Sequence, residues 1–105
     1  MLFSRLSYSF LTGISICVLI FACSQSLYIP AAGTVADESM IEELTVGRKL
    51  YIKQCGSCHN LYTPQTFSNE KWSEEMVEMK KEAKISDQEA ELILKYLTGF
   101  KETPE

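Results

Sequence analysis

Apolar residues in the last two thirds of the chain recur at helical spacing. Met40, Leu44, Gly47 and Tyr51 fall three or four apart and lead to Cys55, which sets them on one face of an amphipathic helix. The stretch opens with "SMIE", where Ser39 and Glu42 have the separation of a capping box. Trp72, Met76, Met79 and Ala83 make a second stripe and predict a helix over residues 69–83. A third helix starts at "SDQE", with Ser86 and Glu89 as its capping pair. It buries Ala90, Ile93, Leu94 and Leu97 before Gly99 offers a stop. No segment alternates as a strand would, so the predicted class is all-α. Gly47 adds a packing expectation. A glycine inside a helix costs about 1 kcal/mol relative to alanine, so it predicts the close approach of a crossing helix, with Tyr96 and Leu97 as the partner. A tolerated glycine near a helix start is the plainer alternative.

The beginning of the chain follows another pattern. Residues 6–22 contain no charge after the single basic Arg5, and "ISICVLIFA" is almost wholly apolar. A basic flank followed by such a stretch reads as an export signal, and it is nearly long enough to span a bilayer as one helix. "IFAC", residues 20–23, resembles a bacterial lipobox. That resemblance implies cleavage before Cys23, lipid on its sulfur and an acyl chain on its amino group. Each buried methylene adds roughly 0.8 kcal/mol of membrane affinity, so several chains anchor firmly. Ser24 suits the outer membrane by the enterobacterial sorting pattern. Residues 24–38, "SQSLYIPAAGTVADE", show no sustained period and read as a flexible tether. The expected organisation is a signal peptide over residues 1–22, a lipidated tether over 23–38 and a folded domain over 39–105. Without residues 1–22 the chain has nine basic and fourteen acidic residues, a net charge of −5. That balance speaks against nucleic acid as a partner.

A domain of this size rarely holds itself together by apolar burial alone, so a staple is expected. Only Cys55 and Cys58 lie inside it, in "KQCGSCHN" with His59, the one histidine of the chain. Structural zinc needs four nitrogen or sulfur ligands, and the domain has two cysteines and one histidine too close in sequence. A redox disulfide of the thioredoxin kind needs its C-x-x-C at the start of a helix after a strand, whereas this pair ends a helical stretch. Covalent haem attachment meets neither objection. Two thiols two residues apart match the two vinyl groups of the porphyrin, and the next residue, His59, comes beneath the iron as proximal ligand. Export supports the same reading, because such haem is attached outside the cytoplasm.

With "GRKLYIKQCGSCH", Trp72 and Met79, and "ILKYL" in the last helix, residues 47–100 resemble a small monohaem class I cytochrome c. The resemblance implies three main helices wrapped around one covalently bound haem c. It also implies a first and last helix crossing beside that haem, with Gly47, Tyr51 and Tyr96 at the crossing. A single histidine excludes bis-histidine coordination within the chain. The family pattern puts the distal methionine seven residues after the tryptophan, at Met79, with Met76 as the alternative; the other of the pair is core packing. The backbone carbonyl of Pro64, or of a neighbour in "NLYTPQTF", is the candidate partner for the second nitrogen of His59. The resemblance implies that Trp72 packs on the haem or reaches a propionate; otherwise it is a plain core aromatic. "KKEAK" reads as a solvated helix face, or otherwise as a docking patch for an acidic partner. The function expected is a membrane-tethered carrier of single electrons outside the cytoplasm, not an enzyme, that meets redox donors and acceptors weakly and transiently. A haem sensor or peroxidase-like enzyme with an open distal site is the alternative.

Overall fold

The computed structural model describes residues 26–56 and 60–102. Its elements are a 3₁₀ turn at Glu38–Met40, helix α1 at Ile41–Cys55, a second 3₁₀ turn at Pro64–Thr66, helix α2 at Asn69–Ala83 and helix α3 at Asp87–Thr98. Among the described residues there is no named strand, only an isolated antiparallel bridge between Val35 and Phe100, as an all-α class requires.

Helix starts follow capping chemistry, with one shift. Ser68 caps α2 by accepting from the Lys71 backbone N at 3.1 Å. Ser86 and Glu89 form a complete capping box at α3, with bonds of 3.1 and 2.9 Å. The expected box of Ser39 and Glu42 does not form. Asp37 intervenes, since its carboxylate accepts from both the backbone N and the hydroxyl of Ser39 at 2.9 and 2.7 Å. An aspartate two residues upstream is as good a cap as serine, and it starts the 3₁₀ turn that runs into α1.

α1 and α3 cross at Gly47. A Cβ there would stand 2.1 Å from the Leu92 carbonyl oxygen and 3.0 Å from Tyr96 Cβ, so only glycine lets the backbones come this close. Tyr96 of the expected pair is at the contact, and Leu92, one turn before it, takes the place of Leu97. Around the crossing Leu44, Tyr51, Ile93, Tyr96 and Leu97 are almost fully buried, and Trp72 and Met76 of α2 close the core.

The segment read as a flexible tether is, from Leu27 onward, part of the fold. Tyr28 stacks on Tyr96 with ring centroids 4.6 Å apart. Its hydroxyl donates to the Tyr96 carbonyl at 2.6 Å, and the Tyr96 hydroxyl donates to the Tyr28 carbonyl at 2.9 Å. Val35 is 3 % exposed, and backbone bonds Ala36 N to Gly99 O (3.0 Å) and Lys101 N to Thr34 O (2.9 Å) hold the far end. The folded unit therefore starts about twelve residues before the boundary expected at Ser39. Two apolar residues, Tyr28 and Val35, outweigh a composition otherwise typical of linkers. Among the described residues no helix is long and apolar enough to cross a membrane; residues 1–22 and Cys23 lie outside them.

Candidate haem site

The C-terminal end of α1, the following loop and one face of α2 line a half-open cavity of about 520 Å³. Ligand pockets run to ~300–1,000 Å³, so this one has room for a sizeable group. α1 contributes Tyr51, Gln54 and Cys55; the loop contributes Asn60, Leu61, Tyr62 and Phe67; α2 contributes Trp72, Glu75, Met79, Glu82 and Ala83. The stripe that built α1 carries its last buried side chain, Cys55, to the wall of this cavity.

Cys58 and His59 fall among the three residues, 57–59, outside the described residues. Their flanks are clear: Cys55 on one side and Asn60 on the other both line the cavity. Met79 lines it from α2, while Met76, 6 % exposed, belongs to the core cluster. The two methionines, indistinguishable by residue type, are thus separated by position.

The walls are held by hydrogen bonds and by ring contacts among Tyr51, Phe67 and Trp72. Tyr51 donates its hydroxyl to the Tyr62 carbonyl at 2.7 Å. Burial pushes its phenol well above the ordinary tyrosine range, so it stays a neutral donor. Trp72 donates its indole N–H to the Pro64 carbonyl at 2.8 Å, and Phe67 meets the indole edge-on at 4.9 Å. This pairing revises one expectation: the Trp72 N–H is committed to the Pro64 carbonyl and not directed at a propionate. The expected bond from His59 falls on a residue outside the described ones. Trp72 is a core aromatic, 1 % exposed, that also forms cavity wall. The lysines of "KKEAK" are the solvated face expected: Lys80 pairs with Asp87, and Lys81 lies 4.0 Å from Glu78.

Phe67, Gln54, Glu75 and Glu82 were not singled out by sequence. Phe67 immediately precedes the cap Ser68, where a hydrophobic residue commonly staples the helix entry, and that signal could have found it. The carboxylates at the rim carry no such signature. The lining fits a flat apolar ring system: aromatic and aliphatic walls, a thiol at one end, a thioether on α2, and polar groups limited to a few side chains. Among the described residues no group of three or more His, Cys, Asp or Glu is arranged to hold a bare metal ion.

A family model described as dihaem cytochrome c matches residues 51–104, which is 54 of the 105 residues. The chain belongs to the dihaem cytochrome c family. No curated protein matches the chain, and no solved structure does. The match begins at Tyr51, takes in the whole cavity lining and continues through α3. Membership makes this cytochrome a haem-based electron carrier of the c type, with haem bound covalently. The family description speaks of two haems, whereas this cytochrome has one C-x-x-C-H and one histidine.

Proposed function

We propose that this cytochrome is a monohaem carrier of single electrons, anchored to a membrane and working on its outer, periplasmic side. The cavity beside Cys55 carries the reading, because it brings one cysteine of the only C-x-x-C-H and one methionine to the same space. When bound, the haem supplies reversible one-electron ferric–ferrous chemistry. In this reading Cys55 and Cys58 would hold it by thioethers, and His59 and Met79 would be its iron ligands, with Met76 left in the core. Tyr51, Phe67 and Trp72 would exclude water from the ring, and a methionine–histidine pair would raise the reduction potential. Cys23 is the proposed site of lipid attachment, and redox proteins that bind briefly at the cavity mouth are the proposed partners.

Anaerobic titration of the matured holoprotein tests the reading. A carrier gives one reversible one-electron wave, a ferric spectrum with the weak methionine–iron charge-transfer band, and a ferrous form slow to take carbon monoxide. Fast carbon monoxide binding with no such band assigns it instead to the sensor or peroxidase-like class.

A further inference from the structure

We propose that residues 27–36 are a docked strap that holds the haem domain low over its membrane, so that the redox centre it serves is exposed close to the surface of that same membrane. The height rests on the membrane anchoring proposed above; the docking does not.

The strap is fixed at both ends. At its start the Tyr28 ring lies on Tyr96 at 4.6 Å and 14° between planes. Two hydroxyl-to-carbonyl bonds run in opposite directions between the same two residues. Arg48 of α1 adds a third by donating Nε to the Tyr28 carbonyl at 3.1 Å. At its end Ala36 and Lys101 donate backbone N–H groups across to Gly99 and Thr34. A segment serving as a loose leash has no use for a buried valine and a reciprocal aromatic clasp.

The docking changes the reach of the domain. A free tether from Cys23 to Ser39 has sixteen residue steps and extends to roughly 55 Å at about 3.4 Å per step. With the strap docked, only the four steps from Cys23 to Leu27 remain, roughly 14 Å. From Arg48, which the strap grips, to Cys55 at the cavity is seven residues of α1, roughly 10 Å at 1.5 Å per residue. The Tyr28 backbone, its bond to Arg48 and the Arg48 side chain join those two spans and add roughly 14 Å, so the cavity is held within roughly 40 Å of the lipid surface. A domain so held cannot swing to centres far out in the aqueous space, and it is matched to an integral protein of the same membrane that exposes its redox centre near the surface.

The test uses full-length, matured holoprotein in lipid vesicles and on a supported bilayer. Hydrogen exchange reads the strap, and neutron reflectometry reads the height of the protein layer. The expected result is that the Ala36 and Lys101 amides exchange at least 100-fold more slowly than in an unstructured peptide. Protein density should begin within roughly 15 Å of the headgroups. Tyr28→Ala, with its haem spectrum unchanged, should lose most of that protection and spread the layer outward. Exchange at the unstructured rate in the wild type overturns the strap, as does a Tyr28→Ala variant that matches wild type in both readouts. A wild-type layer spread to roughly 50 Å overturns the low height. A chain with no membrane anchor fails to bind the bilayer while keeping its amide protection, which overturns the anchoring, and the height with it, but not the docking.

Discussion

Met76 and Met79 stand three residues apart on one helix and have different surroundings. The rotation between them carries Met76 into the core and leaves Met79 facing the cavity. Met79→Leu should therefore abolish the ferric charge-transfer band and lower the midpoint potential by a sizeable part of the ~0.8 V that axial ligation can span. Met76→Leu should keep both and cost under about 1.5 kcal/mol of stability, as volume-conserving swaps do. Visible spectroscopy with potentiometry separates the two. Tyr96 gives a prediction in pH. Burial, partly offset by the nearby Arg48, raises its phenol to about 12. The unfolded chain, with its ordinary value near 10, gives up its proton first, so stability is complete below pH 10 and falls as pH rises from 10 towards 12. Thermal melts between pH 9 and 11 should show a falling midpoint above 10, less steep in Tyr96→Phe. At this scale the placement of Cys55 and of Met79 at one cavity was readable, from the C-x-x-C-H and from the methionine expected after the tryptophan. The sequence was silent on Phe67 and on the Trp72–Pro64 bond, because those depend on how a loop folds back on a helix.

Three helices and the capping box of α3 could be read directly, since stripes and capping boxes are local properties, whereas the Ser68 cap of α2 was not read. The first cap slipped to Asp37 because two competent caps lay two residues apart and sequence does not rank them. The strap was misread for a different reason. Tyr28 and Val35 are isolated in a small-residue segment, and their partners Tyr96 and Phe100 lie more than sixty residues away. The helix crossing gives the sharpest prediction for an element. Gly47→Ala would set a Cβ against the Leu92 carbonyl, at 2.1 Å from its oxygen. That atom is backbone and cannot rotate aside, so the helices must part. Overpacking of this kind costs about 1–3 kcal/mol, against a propensity gain of about 1 kcal/mol. With a strained backbone contact the upper end applies, and a fall in melting temperature of roughly 10 °C is expected. An unchanged melt would show that the crossing has slack.

The whole domain is small, and its cavity lies between α1 and α2 where a larger protein would have core. The haem-free chain, made as Cys55→Ser/Cys58→Ser, should therefore lose its cooperative melt while keeping part of its helical circular dichroism. A sharp transition in that variant would mean that the three helices need no staple. The fold class and the kind of cofactor were readable at this scale because one histidine and one cysteine pair leave few alternatives. The compactness of the N-terminal segment was not, since it is a property of long-range packing. The most direct test of the central claim is haem content and covalency, measured by intact mass and pyridine haemochrome absorbance on the matured protein after extraction with acidified organic solvent. One haem per chain, retained through extraction, is the predicted result. A colourless chain, a pigment that washes out, or two haems on one chain would contradict it.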